Sequence, residues 1–212
     1  MLCAVTASGL RESKKLATRQ ALSWAALGLA VKHGLDNVHV EDIAAEAGVS
    51  ARTFNNYFGS KQEAICSRIV DRAAKVAAAL RARPASEPLI EAITAAVLEA
   101  HAPPEAEQPP APDRMAGLRL VIGSGALQAE YLRVQYSAQR AIAEAIAERT
   151  GSRTPSDMFP AVLAGAVTAA ANTAFARWVM ADPPVPLAPL LRQALGYLSQ
   201  ITVPPTEGSP SC

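Results

Sequence analysis

The stretch from His39 to Glu63, HVEDIAAEAGVSARTFNNYFGSKQE, restricts the possible folds more than any other part of the sequence. It predicts two short helices joined by a tight turn. The small side chains of Ala44 and Ala47 would allow a second helix to cross closely over the first. Gly48 stands where the chain must adopt a positive φ, which glycine does at little cost. Ser50 then follows as a cap for the second helix.

The second of these helices is short and polar, and it has two aromatic anchors, Phe54 and Phe58. A helix of this kind suits insertion into the major groove of DNA, which is about 12 Å wide. We therefore predict a DNA-binding helix-turn-helix at about 40–58. Its candidate contacts to base edges or phosphates are Ser50, Arg52, Thr53, Asn55, Asn56 and Tyr57.

The rest of the sequence also favours helices. Apolar residues in the first third recur with helical spacing, as at Leu22, Ala25, Ala26 and Leu29, and no segment shows sustained strand-like alternation. We expect an all-α fold of about nine helices. Their approximate spans are 18–33, 40–47, 51–57, 60–83, 88–101, 114–122, 127–149, 156–180 and 186–201, with Gly34 ending the first in a left-handed conformation and Thr18 capping its start.

Composition narrows the possible functions. Hydrophobic residues make up 50% of the chain and aromatic residues 5%, which favours close-packed, alanine-rich helices. With a net charge of +1, any DNA-binding charge must be concentrated in one place. The three cysteines form no disulfide or metal-binding pattern, and we expect a reduced, cytoplasmic protein. The apolar stretch at 161–181 contains Asn172 and Arg177, so we expect no membrane span.

We expect two domains and a tail. Residues 1–60 form the DNA-binding domain, 61–202 a helical regulatory and dimerisation domain, and 203–212 a flexible tail rich in Pro and Ser. The segment 102–112, APPEAEQPPAP, cannot be a regular helix because proline lacks the amide donor. It could gate a pocket or simply connect two helices on the surface.

The order and spacing of the motif resemble those of the tetracycline-repressor (TetR) family of transcriptional regulators, over residues 14–66. The matching residues are Ile43, Ala44, Ala47, Gly48, Val49, Ser50, Thr53, Phe54, Tyr57, Phe58, Ser60, Lys61 and Ala64, with Thr18, Arg19 and Gly34 upstream. Two departures are His39, a poorer cap than the family's usual Thr, and Asn55, which replaces a frequent aromatic residue. Asn55 could contact adenine or face a phosphate.

The resemblance implies a dimeric bacterial regulator, with repressor favoured over activator, that binds pseudo-palindromic operator DNA. It also implies that Lys61 contacts a phosphate and that a small hydrophobic effector binds among the central helices. In the family the last two long helices pack against the same two helices of the partner subunit and form the dimer interface. The corresponding helices here are predicted at 156–180 and 186–201. The leucines expected in that interface are Leu187, Leu190, Leu191, Leu195 and Leu198.

A basic N-terminal arm provides local positive charge. It contains Arg11, Lys14, Lys15 and Arg19, interrupted by Glu12. The arm could follow the DNA backbone or enter a minor groove. It could equally be a disordered, solubilising tail.

The effector site is predicted less sharply than the DNA-binding site. Asn172 is a polar residue in an apolar helix, so it must find partners in a ligand cavity or across a dimer interface. The other pocket candidates are Arg119, Tyr131, Gln135 and Trp178, although Tyr131 and Trp178 could serve ordinary core packing.

We find no metal-binding spacing, no cofactor motif and no catalytic group of residues, and an enzyme is not expected. The alternative function is a helical partner-binding protein that keeps this scaffold without recognising a specific operator.

Overall fold

The computed structural model describes residues 7–102, 112–152 and 157–201. In these ranges the regular structure consists of nine α-helices and one short 3-10 helix, Leu35–Asn37, with no strand, which confirms the all-α prediction. The helices are α1 (Ala7–His33), α2 (Val40–Glu46), α3 (Ala51–Tyr57), α4 (Lys61–Ala82), α5 (Leu89–His101), α6 (Pro112–Gly123), α7 (Gly125–Thr150), α8 (Phe159–Val179) and α9 (Leu187–Ile201). The predicted tail at 203–212, and all but the two ends of the proline-rich segment, lie outside the described residues.

The start of α1 corrects one expectation. The basic N-terminal residues from Arg11 to Arg19 belong to a helix that already begins at Ala7. Thr18 does not cap this helix: its hydroxyl donates to the carbonyl of Lys14 at 3.0 Å, one turn earlier. Threonine can bond back in this way inside a helix, so a Thr before an apolar stripe does not by itself mark a start. The arm is therefore helical rather than extended.

The chain packs as two compact units. The first comprises residues 1–70 and 109–135, and the second comprises residues 71–108 and 136–212, so that α4 and α7 contribute to both. The boundaries of these packing units do not coincide with the predicted division between a DNA-binding domain and a regulatory domain at residue 60. That division by function stays a prediction.

The first unit is built around α1. Its core includes Leu22, Leu27, Ile43, Phe54, Phe58, Ile65 and Leu127. The helices α1 and α6 approach closely at Gly117, where an added Cβ would lie 2.7 Å from the Cγ of Leu27. A side chain at that position would force the two helices apart, so glycine is required there.

The second unit packs α8 against α9 and α5 against α9. Its buried residues include Val76, Leu80, Ile93, Val97, Ile142, Ile146, Val167, Leu191 and Leu195. The guanidinium of Arg149 on α7 donates to the carbonyls of Arg83, Pro84 and Glu87 at 3.1, 2.6 and 2.9 Å, and thereby ties α7 to the loop that follows α4.

The packing of α9 corrects a second expectation. Leu191 and Leu195 are 1% and 0% exposed within a single chain, so they fill its core and cannot form an interface with a partner. Leu187, Leu190 and Leu198 are only partly buried.

In the described residues one helix, α8, is long and apolar enough to cross a membrane by length and composition alone. This is weak evidence, because the core helix of a soluble protein passes the same test. Several of its side chains are exposed, among them Phe159 and Val162.

Candidate nucleic-acid interface

The helices α2 and α3 are joined through a small apolar core. Ile43 and Ala44 of α2 are buried, as are Phe54 of α3 and Phe58 directly after it. The two phenylalanine rings lie 5.7 Å apart at 51°, a favourable tilted arrangement. These contacts bury one side of α3 and leave the other side free, as the sequence pattern predicted.

The turn between α2 and α3 depends on Gly48, which has the predicted positive φ, at 69°. Its amide donates to the carbonyl of Ala45 at 3.0 Å, and the next amide, of Val49, donates to Ala44 at 2.9 Å. These bonds satisfy carbonyls at the end of α2. Gly34 also has a positive φ, 81°, but its ψ of 144° lies outside the left-handed helical region that we expected.

Both helices are capped by their own side chains. The Ser50 hydroxyl accepts from the Thr53 amide at 3.2 Å and lies 2.9 Å from the Thr53 hydroxyl. At the start of α2 the side chain that caps is inside the helix, since the Asp42 carboxylate accepts from the amide of His39, the residue before the helix, at 3.2 Å. Asp42 thus provides a cap where His39 replaces the threonine usual in the family.

The predicted DNA-contacting residues of α3 fall into two groups. Arg52, Asn55 and Asn56 are exposed, whereas Thr53 and Tyr57 are partly buried. Seven residues of helix extend about 10 Å, which is short enough to fit within one major groove. Ser50 is exposed but engaged in capping.

The charges of the two short helices differ. Arg52, the one charged residue of α3, is exposed, whereas α2 exposes three carboxylates, on Glu41, Asp42 and Glu46. The basic residues Arg11, Lys14 and Lys15 are exposed on α1. Because phosphates repel carboxylates, α3 and not α2 is the suitable side for DNA.

Lys61, at the start of α4, has partners that the sequence did not reveal. Its ammonium donates to the carbonyls of Leu35, Val38 and Asp36 at 2.7, 2.9 and 3.3 Å. A lysine ammonium has three protons, so all of its donors are directed at these carbonyls. The residue ties α4 to the 3-10 helix between α1 and α2. Its predicted phosphate contact stays a prediction.

Glu63 completes the start of α4. Its amide donates to the Ser60 hydroxyl at 3.0 Å, which is one half of a capping box. Its carboxylate accepts from the Gly59 amide at 2.8 Å rather than from the Ser60 amide.

The predicted effector residues are divided between the two units. Arg119, Tyr131 and Gln135 lie in the first, and Asn172 and Trp178 lie in the second. Arg119 is exposed and the other four are partly buried. The ring of Trp178 packs on that of Phe175 at 5.4 Å.

One residue that the sequence analysis missed, Arg72, faces this aromatic pair in the second unit, with its guanidinium 5.7 Å from the centre of the Phe175 ring. Its position could have signalled it, since it lies on the apolar stripe of α4 beside Ile69, Ala73 and Val76.

Two family profiles match the chain. The profile of the tetR family of bacterial regulatory proteins matches residues 24–63, and the profile of the MftR C-terminal domain matches residues 87–202. Among curated relatives, the HTH-type transcriptional regulator TcmR of Streptomyces glaucescens is 33% identical over 81% of this chain and 77% of that protein.

Solved structures share the fold at lower identity. SmeT, the repressor of the Stenotrophomonas maltophilia multidrug efflux pump SmeDEF, is 16% identical with a TM-score of 0.54, covering 92% of this chain and 97% of that one. FadR of Thermus thermophilus, a transcriptional repressor in complex with lauroyl-CoA, is 19% identical with a TM-score of 0.50, covering 92% and 98%.

Proposed function

This chain belongs to the TetR family of transcriptional regulators, and from that membership we propose that it is a dimeric repressor whose α3 reads operator DNA and which a small hydrophobic ligand releases. The observation that carries the proposal is the exposure of Arg52, Asn55 and Asn56 on a helix that Phe54 anchors in the core. Such a protein acts in the cytoplasm, where its DNA is.

The expected DNA contacts follow from side-chain chemistry. The exposed amides of Asn55 and Asn56 can pair with the edge of adenine, and Arg52 can pair with guanine or a phosphate. We expect Tyr57 and Thr53 to donate to phosphates at the edges of the groove. Ser50 contributes mainly by capping α3, which fixes the direction of the helix.

Dimerisation is supported by the exposed apolar surface of α8. Phe159 and Val162 are 51% and 64% exposed, and Ala169 and Thr173 continue the same side of the helix. Exposed apolar surface of this kind marks an interface. A two-fold dimer presents two copies of α3, so the operator should be a pseudo-palindrome.

The experiment is an electrophoretic shift of the full-length protein on the DNA upstream of its own gene. We expect Asn56→Ala and Tyr57→Ala to weaken the shift roughly tenfold, since one base or phosphate contact contributes about 1–3 kcal/mol. The matched control is Gln128→Ala, which removes an exposed amide from α7 and should leave the shift unchanged.

The alternative is a partner-binding protein that keeps the scaffold. It predicts no difference between the upstream DNA and a scrambled duplex at moderate salt, and no effect of Asn56→Ala. Such a result would contradict operator recognition.

A further inference from the structure

Arg72 lies on the inner side of α4 in the second unit. Its neighbours Ala73 and Val76 are buried, and its guanidinium lies 5.7 Å from the centre of the Phe175 ring on α8. The arginine is itself partly buried, and its guanidinium extends towards that ring.

The charge of Arg72 has no counter-charge in the described part of the chain, where the side chain makes neither a hydrogen bond nor an ion pair. Burial lowers the pKa of its guanidinium. Arg72 is partly buried, and a cation that has lost part of its hydration without gaining an anion is less stable than a paired one. A single ring face compensates only in part.

His101, at the end of α5, is the other titratable group near Arg72, and it adds no second positive charge there at pH 7. Burial, together with the charge of Arg72, lowers the pKa of His101 to about 4, so its imidazole is neutral at pH 7. Its Nδ1 lies 2.7 Å from the carbonyl of Val97 and is occupied there.

A second polar group, the amide of Asn172 on α8, makes no hydrogen bond within the described part of the chain. Asn172 is partly buried. It precedes Phe175 by three positions, so the two side chains leave the same side of α8. The ring of Trp178 packs against that of Phe175 at 5.4 Å and 49°.

We propose that Arg72 and Asn172 bind the carboxylate of an organic acid whose apolar body lies against Phe175 and Trp178. A guanidinium matches a carboxylate with two parallel hydrogen bonds, and an amide adds a further donor. A neutral ligand of the same shape would leave the cation unpaired. This inference rests on the proposed function in one respect only, that the acid is the molecule that regulates DNA binding.

The test measures ligand binding to the full-length protein, without DNA, by calorimetry. The probes are two matched pairs, decanoate with decanamide and 2-naphthoate with 2-naphthamide. We expect the acid to bind about tenfold more tightly than its amide in at least one pair, since hydrogen bonds to charged groups contribute about 1.5–3 kcal/mol. If no acid binds more tightly than its amide, or if neither acid binds, the proposal is wrong.

Arg72→Met keeps an unbranched apolar side chain, shorter than that of Arg72, and removes the charge. It should abolish the preference for the acid and raise the Tm of the ligand-free protein by about 2–4 °C, because a partly desolvated charge without an anion is removed. Lys75→Met is the control, since Lys75 is exposed one turn further along α4. An acid preference that survives Arg72→Met, or a ligand-free Tm that falls below that of the control, would overturn the proposal.

The two proposals can fail separately. A protein that prefers the acid but does not bind its upstream DNA would contradict only the proposed function. A protein that binds the DNA but shows no acid preference would contradict only the carboxylate site.

Discussion

Lys61 and Arg52 are cations of the same unit with different partners. Arg52 is exposed on α3, whereas Lys61 directs its three protons at backbone carbonyls of the segment that precedes α2. An exposed cation can exchange water for a phosphate, but Lys61 would have to give up hydrogen bonds to do so. The structure therefore favours Lys61 as a residue that positions α2 and α3.

We predict that Lys61→Met lowers the free energy of unfolding by about 1–3 kcal/mol, because three carbonyls each lose one donor. Lys61→Arg should not restore this free energy, since the donors of a guanidinium lie in one plane on three nitrogens. The ammonium donates in three directions from a single nitrogen. Urea unfolding measures this, with the exposed Lys32→Met as control.

The salt dependence of DNA binding separates the two roles of Lys61. Loss of a phosphate contact reduces the slope of log affinity against log salt by about one. We expect this reduction for Arg52→Met and an unchanged slope for Lys61→Met. An unchanged stability together with a reduced slope in Lys61→Met would instead establish the phosphate contact.

Individual residues were predictable where their environment is local. Gly48, Ser50 and Phe54 behave as expected because a turn, a cap and a helix anchor each depend on neighbours within a few positions. The partners of Lys61 lie 23–26 positions away, and the ring that faces Arg72 is on another helix. No periodicity in the sequence reports contacts of that range.

At the scale of elements, helix ends were predicted well where a capping residue or a break in the helical pattern marks them. The bounds of α3 agree with the prediction because Ser50 caps its start and the backbone becomes extended at Phe58. The start of α1 was missed by eleven residues, since Thr18 looks like a cap in sequence and bonds to Lys14 in structure.

The C-terminal end of α5 shows which of two electrostatic effects is larger. A cation at a helix C-terminus is stabilised by about 0.3–1 kcal/mol at the surface, which would raise the pKa of His101. Burial and the nearby charge of Arg72 nevertheless lower that pKa from 6.5 to about 4. Desolvation is thus the larger effect at this end of the helix.

This shift predicts that the protein loses stability as the pH falls from 6.5 towards 4. The unfolded chain takes up a proton on His101 near pH 6.5 and the folded chain only near pH 4, so between these values the unfolded state binds more protons and is favoured. The expected loss is about 2–3 kcal/mol. His101→Asn, which keeps a donor near Val97, should flatten this part of the urea-measured pH profile; an unchanged profile would contradict the shift.

At the scale of the whole molecule, the exposed side of α8 is the proposed dimer interface. A second copy of the chain covers it in the account proposed above, with Phe159 and Val162 in the interface. Leu191 and Leu195 of α9 are buried in the core of their own chain. Helical spacing of leucines therefore could not by itself distinguish a dimer interface from a core.

We predict that Val162→Glu shifts the protein from dimer to monomer in analytical ultracentrifugation, because a carboxylate would be buried without a partner. Leu132→Glu on α7, at a side chain 63% exposed against 64% for Val162, should leave the dimer intact. If Val162→Glu sediments as the unmodified protein does, α8 is not the interface.

The central claim is that paired copies of α3 read an operator, and DNase I footprinting on the upstream DNA tests it most directly. The account predicts two symmetric protected half-sites in successive major grooves, about one helical turn apart, that disappear with Asn56→Ala. A footprint without symmetry, or protection that is the same on scrambled DNA, would contradict it.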